Sequence, residues 1–122
     1  MKLKLWNRKK NNEPMGSKDL ASILKGTANY LVQPNVDSGL TDTEFKVLNH
    51  LISYLDTFLL KCFVNGKLKH YTWITTRLLE ASIILRVSNN ERIQSLVKMI
   101  EILLDVIGIE RVENNGDQKE DK

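Results

Sequence analysis

The strongest local constraint on the fold is the segment Thr41-Asp42-Thr43-Glu44, which has the pattern of a helix capping box. In this motif the threonine side chain accepts from the glutamate amide, and the glutamate side chain accepts from the threonine amide. Apolar residues then recur every three or four positions, which is the spacing of a buried helix face: Phe45, Leu48, Ile52, Leu55, Leu59 and Cys62. Because Asn65-Gly66 is a strong turn pair, we predict a long helix ending near Val64, and residues 67–71 could be extended.

Three further helices are predicted from a start residue followed by an apolar face. The first opens at Ser17 as N-cap and ends before Pro34, because the residue preceding a proline avoids helical backbone. The third follows Thr72 as cap. The fourth opens at a second capping box, Ser88-Asn89-Asn90-Glu91, and stops at Gly108, which suits the position just after a helix. The predicted fold class is therefore all-α, a compact bundle of about four helices.

Charge divides the chain into three parts. Residues 1–18 hold six basic residues against one acidic residue, residues 19–109 hold nine of each, and residues 110–122 hold three against five. With the helix pattern, this layout predicts three regions. They are a basic flexible arm over residues 1–16, a helical domain over residues 17–112 and an acidic disordered tail over residues 113–122.

Cysteine content and hydropathy bear on the compartment. Cys62 is the one cysteine, so the chain cannot form an internal disulfide, and a lone thiol in an apolar stretch suits a reducing environment. No apolar run approaches the roughly 20 residues of a transmembrane helix, and the basic N-terminus lacks the apolar segment of a signal peptide. We therefore predict a cytoplasmic protein without a transmembrane segment.

Catalytic and metal-binding patterns do not stand out in the sequence. His50 and Cys62 are twelve residues apart on one predicted helix, which turns them about 120° away from each other. Glu101 and Asp105 share a helix face, where solvated surface carboxylates are the ordinary interpretation. No glycine-rich phosphate loop is present. We expect no catalytic residue, no bound metal and no cofactor, which makes the chain a binding protein and not an enzyme.

Two segments and the arm carry side chains that nucleic-acid-binding proteins use, and the arm could equally contact an anionic membrane surface through Trp6 or serve as a solubilising tail. No acidic residue lies between Asp56 and Glu80, where basic residues alternate with aromatic ones. The alternative there is that Tyr71 and Trp73 only seat the third helix in the core. The start of the fourth helix has side chains that can contact bases or phosphates, although an ordinary polar surface would look the same. The candidate contacts are Lys67, Lys69, His70, Arg77, Ser88, Asn89, Asn90, Arg92, Gln94 and Lys98, with Arg8, Lys9 and Lys10 in the arm.

A family resemblance supports the second segment. The stretch from Leu40 to Leu48, a helix ending at Val87-Ser88 and a helix ending at Ile107 to Val112 together resemble winged helix-turn-helix DNA-binding domains. These include regulators and the replication initiators of plasmids and phages. The resemblance spans about residues 40–112 and implies that the fourth helix is a recognition helix. Its contacts would be Ser88, Asn89, Asn90, Arg92 and Gln94. The predicted function is a DNA-binding or replication/regulation accessory protein, such as those of phages or mobile elements.

A competing hypothesis comes from apolar residues that lie off the main helix faces. These are Leu51, Phe58, Leu60, Phe63, Leu79, Ile83, Leu96, Ile102 and Leu104. One small core does not need all of them, and in a monomer some would form an exposed patch. A homodimer or another protein partner would bury that patch. The alternative function is therefore a helical protein-interaction or assembly component that does not bind nucleic acid.

Overall fold

The computed structural model describes the backbone of residues 15–121 and the side chains of residues 15–112. This part contains four helices: α1 (Ser17–Leu31), α2 (Asp42–Lys61), α3 (Thr72–Arg86) and α4 (Glu91–Asp121). Two short strands, β1 (Phe63–Val64) and β2 (Lys67–Leu68), form an antiparallel hairpin between α2 and α3. Helices α1 and α3 each pack against both α2 and α4. The predicted all-α bundle is confirmed, and the predicted basic arm lies almost entirely outside the described residues.

Every helix contributes an apolar face to the same core. Helix α1 supplies two alanines along with its leucines, so its backbone can approach α2 and α4 closely, while Phe58 of α2 is the largest fully buried side chain. The main core positions are Ala21, Leu24, Ala28, Leu48, Leu51, Leu55, Phe58, Ile74, Leu78, Leu85, Ile93, Leu96, Ile100, Leu103 and Ile107. Their spacing of three or four residues within each helix is the periodicity on which the helix predictions are based.

The capping box at the start of α2 is confirmed. The Glu44 amide donates to Thr41 Oγ1 at 3.1 Å, and the Thr41 amide donates to Glu44 Oε1 at 3.0 Å. Helix α2 ends at Lys61, before the predicted end near Val64, because Phe63 and Val64 pair with Leu68 and Lys67. Asn65 and Gly66 both have positive φ, 54° and 79°, as a type I′ hairpin turn requires. The predicted extended segment is therefore confirmed for its first two residues only.

Two helix starts differ by one residue from the predictions. Gly16, and not Ser17, is the N-cap of α1, because its carbonyl accepts the first helical hydrogen bond from the Leu20 amide at 3.1 Å. Tyr71, and not Thr72, is the N-cap of α3 for the same reason, since its carbonyl accepts from the Thr75 amide at 3.0 Å. Neither cap residue makes a side-chain capping bond. A threonine or serine near a helix start is therefore not sufficient to locate the cap.

The predicted stop at Gly108 is wrong, because α4 continues through it to Asp121. A glycine ends a helix when it takes a left-handed conformation, and Gly108 keeps helical backbone. The side chains on either side of it explain this continuation. Ile107 is buried in the core, and the Glu110 carboxylate is bonded to the start of α1, so both hold the turn that contains Gly108 in place.

Two hydrogen bonds between Ser17 and Glu110 join the first and last helices. Glu110 Oε2 accepts from the Ser17 amide at 2.8 Å, and Glu110 Oε1 accepts from the Ser17 hydroxyl at 2.6 Å. The first amides of a helix lack intrahelical acceptors, and the positive end of the helix dipole favours a carboxylate there. Glu110 therefore caps α1 from another helix. A Cβ on the neighbouring Gly16 would lie 3.1 Å from Glu110 Oε2, so glycine leaves room for this contact.

Removal of the Glu110 carboxylate tests its role at the start of α1. Glu110→Ala should lower the free energy of unfolding by about 1–2 kcal/mol, the usual effect of removing a helix cap with its hydrogen bonds. Asp105→Ala is the matched control, since it removes an exposed carboxylate from the same helix. Urea denaturation followed by circular dichroism gives both values. Equal destabilisation of the two variants would show that Glu110 does not stabilise the docking of α1.

Hydropathy along the helices bears on membrane insertion. Within the described residues, no helix combines the length and the apolar character needed to cross a membrane.

Candidate nucleic-acid interface

The structure divides the sequence-predicted contacts between two ends of the bundle. Lys67, Lys69 and His70 lie before the start of α3, whereas the segment from Ser88 to Gln94 follows its end. Helix α3 has 15 residues and is therefore about 22 Å long. We call the first region the hairpin end; it comprises residues 63–71, the start of α1, the end of α2 and residues 110–111 of α4. The second, the turn end, comprises residues 32–44 and 86–94. Arg8, Lys9 and Lys10 lie outside the described residues.

At the turn end, Asn90 holds three backbone groups. Its Oδ1 accepts from the Arg92 amide at 2.8 Å, and its Nδ2 donates to the carbonyls of Ser38 at 2.7 Å and Gly39 at 3.2 Å. Asn90 is thus the cap of α4, which begins at Glu91, and the predicted capping box from Ser88 to Glu91 is wrong. The tertiary contact with the loop after α1 explains the difference, because it fixes the asparagine side chain at the helix start.

Other polar side chains of the turn end are also bonded within the domain. Gln94 Nε2 donates to the Arg86 carbonyl at 2.8 Å and the Ser88 carbonyl at 2.6 Å, which satisfies acceptors left open at the end of α3. Arg92 Nη1 donates to the Asp37 carbonyl at 3.4 Å. Most of the side chains that the helix-turn-helix resemblance assigns to bases therefore join the loops of the bundle, while Asn89 and Lys98 are exposed.

Ser88 also links the turn to the capping box of α2. Its hydroxyl accepts from the Asn90 amide at 3.0 Å. Its hydrogen bond to the Glu44 carboxylate is the largest cause that lowers the pKa of Glu44 below its ordinary value of 4.5, against a smaller opposing effect of burial. Bonds from Thr41 lower that pKa further. With Asp37 in the loop after α1, and Asp42 and Glu91 at the starts of α2 and α4, the turn end carries several acidic groups, which disfavours contact with a polyanion.

Replacing Asn90 tests the structural role of the turn end. Asn90→Ala should cost about 2 kcal/mol of stability, because it removes a helix cap and leaves two loop carbonyls without their donor. Asn89→Ala, at the exposed neighbouring position, should have little effect. Chemical denaturation of the two variants measures the difference. A similar stability for both would show that the Asn90 bonds do not hold the loop.

The Ser88–Glu44 bond predicts a pH dependence. A carboxyl whose pKa is lowered by folding contributes stability above its unfolded pKa, and this contribution disappears as the pH falls through the folded pKa. Ser88→Ala removes the largest cause of the lowering. The variant should therefore be destabilised more, relative to the native protein, at pH 7 than at pH 3. Ser95→Ala, at an exposed serine of α4, is the control and should show no such difference. A pH-independent destabilisation by Ser88→Ala would contradict the bond.

The hairpin end brings together basic side chains from distant parts of the sequence. Lys18 Nζ of α1 lies 5.7 Å from the centre of the Phe63 ring, and the Arg111 guanidinium of α4 lies 5.6 Å from the centre of the Tyr71 ring. The Lys69 amide donates to the Cys62 carbonyl at 2.9 Å, which folds the chain after β2 back onto the end of α2. The cationic residues gathered here are Lys18, Lys61, Lys67, Lys69 and Arg111, and His70 is exposed beside them.

The hairpin end has fewer acidic groups than basic ones. Among the described side chains, Asp19 and Glu110 lie in the same region, and the Glu110 carboxylate is engaged by Ser17. The region therefore has a net positive charge. Lys67, Lys69 and His70 are predicted from the sequence, whereas Lys18 and Arg111 are not. These two residues lie 93 positions apart in the chain, and no local pattern indicated that they would meet.

The aromatic residues near the hairpin end serve the core. Phe63, Tyr71 and Trp73 are partly buried against it. Phe63 packs edge-on against Phe58 with ring centres 5.2 Å apart, and Trp73 packs edge-on against Tyr54 at 6.4 Å. This arrangement matches the alternative in which the aromatics seat α3. The predicted contact Arg77 lies on the first turns of α3, where it pairs with Glu80 at 3.1 Å and lies near the Tyr54 ring.

The described residues can also be considered as metal ligands and as nucleophiles. These residues contain no group of three or more histidine, cysteine or acidic side chains that could hold a metal ion. Cys62 is a free, buried thiol, and burial raises its pKa, which opposes formation of the nucleophilic thiolate.

The chain matches no known protein-family model, and it has no significant match among curated proteins or solved structures.

Proposed function

We propose that this chain is a non-enzymatic DNA-binding protein that contacts phosphates through its hairpin end. The observation that carries the proposal is the gathering of five lysine and arginine side chains there from α1, α2, the hairpin and α4. Residues 1–14, which precede α1 in the chain, add five basic residues against one acidic residue. Lysine and arginine neutralise phosphates, and the released counterions provide most of the affinity of non-specific binding.

The aromatic side chains near the hairpin end and the polar side chains of the turn end indicate the expected mode of DNA binding. The aromatic rings nearby are partly buried, which leaves little surface for stacking on unpaired bases. The polar side chains of the turn end are bonded within the domain. Binding would therefore depend on the phosphate backbone of a duplex more than on base identity. A role in replication or regulation, as the winged helix-turn-helix resemblance implies, would need a further component or the arm to supply sequence preference. The free thiol of Cys62 suits a cytoplasmic location.

A duplex titration at two salt concentrations tests the proposal. The triple variant Lys61→Gln, Lys67→Gln and Lys69→Gln should bind a random DNA duplex more weakly than the native chain. Its dependence of log affinity on log salt should be shallower by about 0.9 for each phosphate that the variant no longer neutralises. Fluorescence anisotropy of a labelled duplex gives both quantities.

One control and two further variants locate the contact. Lys46→Gln removes an exposed lysine near the start of α2 and should leave affinity nearly unchanged. Lys98→Gln tests the recognition-helix assignment, since Lys98 is exposed on α4. Deletion of residues 2–12 separates the arm from the folded domain. Absence of binding by the native chain at low salt would overturn the DNA-binding proposal, and weaker binding confined to Lys98→Gln would move the interface to α4.

The second candidate function is a helical protein-interaction or assembly component. The specific observation in its favour is the run of exposed aliphatic side chains along the outward face of α3. Such a face suits a protein partner, because burial of apolar surface is a main driving force of association. Homodimerisation is compatible with either function.

A further inference from the structure

The turn between β1 and β2 stands clear of the bundle. Residues 64–67, which we call the hairpin tip, are all exposed, and Val64 pairs there with Lys67 across the ladder. A Cβ placed on Gly66 would lie more than 4 Å from every described atom outside the neighbouring residues. Since a strand rises about 3.3 Å per residue, the turn lies about 7 Å beyond Phe63, which packs against the core. The tip therefore projects from the hairpin end as a short, narrow element.

Basic side chains lie on both faces of this hairpin. Successive residues of a strand point to opposite faces, so Phe63 is on one face and the pair of Val64 and Lys67 is on the other. Lys18 Nζ lies 5.7 Å from the centre of the Phe63 ring, which places a second cation on the Phe63 face. The sequence has no acidic residue between positions 57 and 79. Cations on two opposite faces suit a groove that has phosphates along both walls.

The size and chemistry of the hairpin tip fit the DNA minor groove. That groove is about 6 Å wide and about 7.5 Å deep, so it excludes a helix, whereas a turn that projects about 7 Å can reach its floor. Minor-groove proteins use lysine and asparagine to contact base edges and apolar side chains beside them. The tip carries Asn65 and Lys67 with Val64, which is 45% exposed and has no role in the core.

We propose that the hairpin tip enters the minor groove of a DNA duplex and that Asn65 contacts base edges there. This contact depends on the proposed function, because the surrounding hairpin end supplies the phosphate contacts. On the groove floor, A·T pairs present acceptors only, whereas guanine adds an amino group. The Asn65 amide and the Lys67 ammonium can donate to those acceptors, and the guanine amino group would occupy the space that they need. The tip accordingly prefers A·T pairs, which is a preference for base composition and not for a particular sequence.

Three duplexes of equal length test the groove and the preference on the full chain. They contain A·T pairs, G·C pairs or inosine·C pairs. Inosine lacks the guanine amino group, so an inosine·C pair resembles A·T in the minor groove and G·C in the major groove. By fluorescence anisotropy, the native chain should bind the A·T and inosine·C duplexes alike and the G·C duplex roughly fivefold more weakly, the lower range for one base-edge contact. Inosine·C affinity equal to that of G·C would overturn the minor-groove contact.

Two asparagine variants test the role of Asn65 in this preference. Asn65→Gly removes the side chain but keeps the turn, because glycine adopts the positive φ of 54° that position 65 has. It should lose most of the preference for A·T while binding the G·C duplex as the native chain does. Asn89→Gly is the matched control at an exposed position of the turn end, and it should keep the preference. Unchanged helical circular dichroism identifies folded variants.

The outcomes separate this contact from the proposed function. Equal, salt-dependent affinities of the native chain for all three duplexes would overturn the minor-groove contact and leave phosphate binding by the hairpin end intact. A full A·T preference in Asn65→Gly would overturn the role of Asn65. Absence of binding to every duplex at low salt would overturn the proposed function itself, and the contact of the tip with it.

Discussion

Packing of four apolar helix faces into one core is the constraint on which the rest of the domain depends. Helix α4 packs against α1, α3 and the hairpin, and Ile93, Ile100 and Ile107 hold it there over several helical turns. Burial of these faces is the main favourable term in folding. It also brings the two ends of α4 beside loops that are distant in sequence, so the polar contacts at both ends are consequences of the core.

Two of these contacts secure α1, whose core face is partly alanine. Glu110 binds its first residue, and Asn90 binds the loop that follows it. The same polar groups that could contact DNA in an isolated helix start are therefore part of the scaffold. This arrangement also separates positive from negative charge, since lysines and arginines gather at the hairpin end while several carboxylates lie at the turn end. A polyanion approaching the domain would meet favourable potential at the hairpin end.

Helix α3 connects the two ends and has different surroundings on its two sides. Its core face explains why it forms, whereas its outward face has no function within the described domain. Leu79, Ile83, Ile84 and Val87 are exposed there, and none of them contributes to the positive charge of the hairpin end.

The sequence by itself determined the helices and much of the core. The capping box of α2, the turn at Asn65-Gly66 and the spacing of Leu48, Leu55 and Ile100 depend on residues within a few positions of each other. Only the tertiary structure decided the caps of α1 and α4, the continuation through Gly108 and the meeting of Lys18 with Arg111 at one end. The caps depend on partners 93 and 52 residues away, Ser17 with Glu110 and Asn90 with Ser38. Helical periodicity marks which faces are apolar, but packing decides which of them are covered: among the apolar residues off the main faces, Phe58 and Leu96 are buried, whereas Leu79 and Ile83 stay exposed.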